Sequence, residues 1–193
     1  MVGSREADDD RLAFARMVGS RCARSGIQVI SGGARGVDAE AMIACMSAGG
    51  CATGVLAEGL ARSISSGRFA DWVERRSLAL VSPFHPDARF QVGTAMARNK
   101  LVYALADLAV VVSSDYMSGG TWAGAVENLE HRWAPLFVCT GEGVPEGNLH
   151  LAEAGAIPVY DGVASDGDLV KWMVRTAESA SANVGAQGTL PLF

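Results

Sequence analysis

The stretch Val29-Ile30-Ser31-Gly32-Gly33-Ala34-Arg35-Gly36-Val37-Asp38 constrains the chain more than any other. An apolar run ends in a glycine-rich turn and a helical pattern follows over residues 37–48, so the local order is strand, turn, helix. Gly32, Gly33 and Gly36 let the backbone take positive φ and approach a ligand with no Cβ in the way. The helix that follows directs unpaired N–H groups and the positive end of its dipole to the same place. Phosphate is the usual occupant of such a turn, and Arg35 adds a planar charged fork suited to it.

The same kind of unit recurs on either side. Residues 8–25 carry Leu12, Ala15, Val18 and Cys22 at helical spacing behind an Asp-rich start, and residues 27–30 form the strand that enters the glycine turn. Residues 52–57 and 78–81 read as buried strands, separated by a loop over 59–67 and a short helix over 69–76. A polar loop over 84–93 leads to a helix over 94–105 and a strand over 108–112. A Gly/Ser-rich loop over 113–120 then opens a helix over 123–130, and strands at 136–139 and 157–160 flank a short helix. Residues 166–180 make a last amphipathic helix, with Leu169, Trp172 and Met173 inward. Repeated strand–helix units imply an α/β fold, an open parallel sheet with helices on both faces. Residues 1–180 are expected to form one domain and residues 181–193 a flexible tail. Val2-Gly3-Ser4-Arg5 reads as the end of a first strand with little strand ahead of it. Either a longer apolar N-terminus or a homodimer is expected to cover that sheet position.

Apolar residues make up 49% of the chain, no apolar run reaches the length of a membrane span, and no signal-peptide pattern follows Met1. A cytoplasmic globular protein is expected. Cys22, Cys45, Cys51 and Cys139 are scattered without a CxxC pair, and His85, His131 and His150 are equally dispersed. They read as ordinary residues of a reducing compartment, with no metal site and no cofactor implied. The net charge of −5 excludes a coat of positive charge for indiscriminate nucleic-acid binding, yet leaves room for a local basic groove. Lys100 and Lys171 are the only lysines, so that groove would be built of arginine, the better residue for bidentate phosphate contacts.

In open parallel sheets ligands bind beyond the carboxyl ends of the strands. Loops 3–5, 31–38, 56–68 and 113–121 converge there. Met96-Ala97-Arg98-Asn99-Lys100 sets two cations and an amide just inside a helix, behind a proline-containing loop; a solvated helix face and a ligand-facing role both fit it. No Ser/His/Asp arrangement, no Walker loop and no GxGxxG fingerprint is present. Glu58 and Glu127 are the carboxylates placed to act as acid or base.

Gly3-Ser4-Arg5, Ser31-Gly32-Gly33-Ala34-Arg35-Gly36-Val37-Asp38-Ala39, Arg98-Asn99-Lys100 and Ser118-Gly119, in this order and spacing, resemble the DNA-processing protein A (DprA/Smf) family from residue 3 to about residue 138. Gly49-Gly50, Ser82-Pro83-Phe84 and Ala106-Asp107-Leu108 also fall where that family has counterparts. The resemblance implies a Rossmann-like core that binds single-stranded DNA, cooperates with the RecA recombinase in DNA uptake or recombination, forms homodimers and has no enzymatic activity. Carried over, Arg5, Arg35, Arg98 and Lys100 would be phosphate ligands. Ser31, Gly32, Gly33 and Gly36 would shape the cradle, Asn99 would order the basic segment, and Ser118 with Gly119 would close the pocket.

A wider superfamily of the same architecture includes phosphoribohydrolases, and Gly119-Gly120-Thr121 resembles their motif. Those enzymes place a glutamate three residues after the threonine, whereas Glu127 comes six after Thr121, so a nucleotide-derivative sensor or hydrolase is the alternative reading. Gln187 followed by Leu190-Pro191-Leu192-Phe193 resembles peptides that dock on the replication sliding clamp, and a strap packed on the domain's own surface fits the same residues.

Overall fold

The sheet is all parallel and comes in two halves. β1 (Val29–Ser31), β2 (Ala52–Val55) and β3 (Leu78–Val81) pair in that order, and β4 (Ala109–Val111), β5 (Leu136–Thr140) and β6 (Ile157–Tyr160) pair in theirs. The computed structural model describes residues 1–67, 69–160 and 169–187.

The first four residues join the halves. The Met1 amine donates to the Ile30 carbonyl at 2.6 Å on one side. On the other, Val2 N–H donates to Val110 O at 2.9 Å, Val112 N–H to Val2 O at 3.0 Å and Ser4 N–H to Ser113 O at 2.9 Å. From this central segment the chain winds outward through β1 to β3, then returns to wind the opposite way through β4 to β6. The reversal puts a topological switch point over residues 3–6, where ligands bind in such folds. Beneath Met1 a cavity of about 810 Å³ opens between Ile27 and Val29 on one side and Leu108 and Val110 on the other, with Met173 and Ala177 beside it.

Side-chain alternation along β4 and β5 feeds two cores. Val110, Val112, Phe137 and Cys139 point to a layer formed by α1 (Asp9–Arg24), α2 (Val37–Ser47) and α8 (Leu169–Gln187), through Phe14, Val18, Met42 and Met173. Ala109, Val111, Leu136 and Val138 point the other way, to Tyr103 of α5 (Val92–Ala104), Ala125 of α6 (Gly119–His131) and Leu151 of α7 (Glu146–Glu153). Helices therefore cover both faces, as the sequence implies. Among the described residues no helix is long and apolar enough to cross a membrane.

Three boundaries differ from expectation. The loop expected over residues 59–67 contains α3 (Leu60–Ser65), ahead of the short α4 (Ala70–Glu74). Tertiary partners supply what the local sequence lacks: Gly59 N–H donates to Ala88 O at 2.9 Å and Ala61 N–H to Pro86 O at 3.0 Å. α6 starts at Gly119, ahead of its apolar pattern. α8 runs on to Gln187, past the residue where the tail was expected to begin, and the apolar cluster of Leu190, Leu192 and Phe193 lies outside the described residues.

One buried amide fixes the carboxyl ends of the second half-sheet. Asn148 is fully buried; its Nδ2 donates to Val112 O at 2.9 Å and Cys139 O at 2.7 Å, and its Oδ1 accepts from Ser114 N–H at 2.8 Å. Asn148→Ala leaves these backbone groups buried without partners, and unfolding in urea is expected to register a loss of about 3 kcal/mol. A loss below ~1 kcal/mol would show that the clamp is dispensable.

Candidate functional site

The glycine turn after β1 is shaped as much by its neighbours as by its own backbone. Gly33 and Gly36 take φ of 66° and 76°, values open to glycine. Gly32 needs its missing side chain for another reason: a Cβ there would collide with the guanidinium of Arg98, which lies across the turn. Ser31 is buried, and its hydroxyl donates to the Met1 carbonyl at 2.6 Å. Some of the donors at the start of α2 are already engaged by the chain itself. Ala34 N–H donates to Asp38 Oδ2 at 3.3 Å, and Val37 N–H to Ser4 O at 3.4 Å.

Two hollows open around this turn and share Arg5, Phe90 and Arg98. The larger, about 620 Å³, runs over Gly32, Gly33 and Arg35 towards Glu58 and Phe69. The smaller, about 420 Å³, lies between residues 2–6, α5 and the start of α6. Its far wall is Ser118, Gly119, Gly120 and Thr121, where Ser118 makes no side-chain cap bond. Asn99 Nδ2 donates to Gly120 O at 2.8 Å and pins that helix start to α5.

The basic segment of α5 is divided by helical geometry. At about 100° per residue, neighbours in sequence do not share a face. Arg98 is buried and reaches both hollows, Asn99 faces the smaller one, and Lys100 is exposed and lines neither. Of the other candidates, Arg5 and Arg35 are exposed at the rims, Gly32 and Gly33 line the larger hollow, and Ser118 and Gly119 the smaller. Ser31 and Gly36 sit behind the turn and line neither. Glu58 reaches the larger hollow, whereas Glu127 lies some eight residues, about 12 Å, along α6 from its start and lines neither. Phe90, Tyr103 and Asp115 line the site without having been singled out; the Asn99–Tyr103 spacing of four on one helix face was the available signal. Among the described residues no group of three or more His, Cys, Asp or Glu is placed to hold a metal.

The electrostatics of the site are set by burial. Arg98 and Asp38 are 6% and 5% exposed. Burial pushes the Asp38 carboxyl above the usual carboxylate range, and the Arg98 charge opposes that push. Burial likewise pulls Arg98 down, opposed by Asp38 and reinforced by the like charge of Arg5. The phenol of Tyr103 is pushed up by burial, with Asp38 adding to it. Among the described residues Arg98 Nε and the Tyr103 hydroxyl have no hydrogen-bond partner. An anion between Arg5 and Arg98 would relieve their repulsion.

Asp38 gives the site a pH signature. Because its folded value lies above 3.8, the folded state holds the proton longer than the unfolded chain. The cost of ionising it is absent below the unfolded value and grows as pH rises through the folded one. Asp38→Asn removes that cost, so the stability of this variant relative to the parent is expected to improve between pH 4 and pH 7 in urea titrations. A difference independent of pH would contradict the assignment.

The match to known proteins follows the same geometry. The crystal structure of DNA processing protein A from Streptococcus pneumoniae superposes with a TM-score of 0.72 at 23% identity over 84% of this chain. The chain spans 58% of the length of that protein. DNA processing protein A from Helicobacter pylori, described for its single-stranded DNA binding mode, gives a TM-score of 0.72 at 20% identity over 93% of this chain and 79% of its own. The molybdenum cofactor carrier protein of Chlamydomonas reinhardtii gives 0.62 at 20% identity over 90% of this chain and 95% of its own. These likenesses establish a shared Rossmann-like fold. No curated protein matches by sequence. The family model of DNA recombination-mediator protein A matches residues 1–161, and the chain belongs to that family.

Proposed function

We propose that this protein binds single-stranded DNA as a DNA-processing factor and acts with a RecA-type recombinase in DNA uptake or recombination. The observation that carries the reading is Arg98, buried across Gly32 with Arg5 and Arg35 exposed beside it at the rims of the hollows. Single strands are held by a cationic track combined with aromatic faces. Phe90, 45% exposed and with the Arg5 guanidinium 5.4 Å from its ring centroid, supplies such a face at the rim. The acidic net charge does not oppose this, since a screened phosphate chain responds to charges within about 10 Å. The membership of the family and the single-stranded DNA binding of the H. pylori protein support the same reading.

The test is fluorescence anisotropy of labelled oligothymidine across a salt series. Binding is expected to weaken by about 0.7 log unit per phosphate contact for each decade of salt. Arg35→Ala removes an exposed cation, so it is expected to weaken binding about tenfold and to reduce the salt slope by ~0.7, with stability unchanged. Arg98→Ala is the poorer probe, because it leaves Asp38 buried without its neighbouring charge. Absence of binding at low salt overturns the reading. Cooperation with a recombinase and homodimerisation belong to the same proposal. The second is checked by light scattering, where a dimer has twice the chain mass of 20.1 kDa.

A further inference from the structure

Behind Met1 the central segment stops, and β1 and β4 face each other across the cavity of about 810 Å³. Packed interiors leave few voids larger than a water molecule. The walls of this one are backbone as well as side chain. Val29 N–H is turned away from it, to Cys51 O at 3.1 Å, and Ala109 N–H likewise, to Pro135 O at 2.9 Å. Backbone direction alternates along a strand, so Ile30 and Val110 turn theirs into the gap. Their carbonyls are taken by Met1 and Val2, at 2.6 Å and 2.9 Å. Among the described residues nothing accepts from either N–H. Buried strand amides are almost always paired.

The register prescribes the occupant. A strand that extends the central segment backwards, parallel to its neighbours, sets the carbonyl of its last residue on Val110 N–H and that of the residue before it on Ile30 N–H. Met1 holds the next place, so this strand has to end there, and the occupant is a carboxyl-terminal segment. The third residue from its end is the first to enter the sheet, a position at which a strand admits proline. The last side chain points to the face of Val2, and the one before it to the face of Met1. The second face is walled by Cys22, Met173 and Ala177; on the first, Leu105 at the end of α5 is 56% exposed. A carboxylate at the end suits the Met1 amine, which burial pulls below the ordinary range, opposed chiefly by Asp38.

Pro191-Leu192-Phe193 meets each of these terms. The tail cannot bring it to its own cavity. Val170, Met173, Val174 and Ala177 of α8 line the cavity down to Glu178, and nine further residues carry the helix to Gln187, about 14 Å beyond. From Gly26 to Ile30 the cavity runs about another 13 Å. The six residues after Gln187 span at most about 20–22 Å when extended, short of the sum.

We propose that the gap between β1 and β4 receives Pro191-Leu192-Phe193 from a second copy of this chain, with Leu192 under α1 and α8, Phe193 against Leu105 and the terminal carboxylate facing the Met1 amine. The inference deepens the proposed homodimerisation and is independent of DNA binding.

The experiment is nuclear magnetic resonance on the full chain. An equal mixture of isotope-labelled and unlabelled protein is expected to show contacts between the Phe193 ring of one copy and the Leu105 and Leu108 methyls of the other. The amides of Ile30 and Val110 are expected to exchange about tenfold faster in the double variant Leu192→Asp, Phe193→Asp than in the parent, with a smaller change at Val138 of β5. Dilution of the parent is expected to accelerate the same two amides, a measurement that does not depend on the variant folding. Contacts confined to one copy overturn the inference in favour of the chain's own tail. Exchange at Ile30 and Val110 that neither the variant nor dilution alters overturns it as well. A dimer mass that persists in that case leaves homodimerisation through another surface intact.

Discussion

Everything at the ligand-facing end depends on four residues lying between two half-sheets. Met1 to Ser4 take backbone bonds from both β1 and the β4 edge, and no other described backbone pairing joins those two strands. The next residues, Arg5 and Glu6, are thereby delivered to the switch point, where they form part of both hollows. Gly3 packs against Val37 with no room for a Cβ, so the glycine turn and the central segment fix each other. A shift of either would move the arginines that the site relies on.

Much of this was legible because parallel sheets advertise themselves. Buried strands such as Val110 to Val112 and Leu136 to Cys139 read as unbroken apolar runs, and glycine pairs mark the turns between units. The glycine turn, too, was visible in one dimension. What could not be read were features that exist only in the third. α3 depends on carbonyls of residues 86 and 88 that are distant in sequence, and α6 begins on two glycines, the second held at its carbonyl by Asn99. Arg98 and Lys100 look alike in sequence, yet two positions on a helix turn them to different surroundings. Asp38 stood in the glycine-turn stretch without a role of its own, and its burial beside Arg98 exists only in the fold.

The charge of the whole chain and the charge of the site are separate quantities. The excess of acids is spread over exposed surface such as Asp9, Asp10, Glu130 and Glu153, while Arg5, Arg35 and Arg98 gather at one end of the sheet. Net repulsion of this kind discourages adsorption to any polyanion that does not find the rims. A contact has to be made in one place, which is a route to selectivity that a uniformly basic surface lacks.

The buried state of Arg98 and Tyr103 has a bearing on how quickly an acceptor could be taken up. Their water is lost when the chain folds, before any ligand arrives. The dehydration of the Arg98 side chain that would otherwise accompany each binding event is thus largely incurred once, in reaching the native state. The fold carries the corresponding weakness, since Arg98 Nε and the Tyr103 hydroxyl find no partner among the described residues. Tolerance of that weakness by the rest of the fold sets how far affinity at this end of the sheet can be raised.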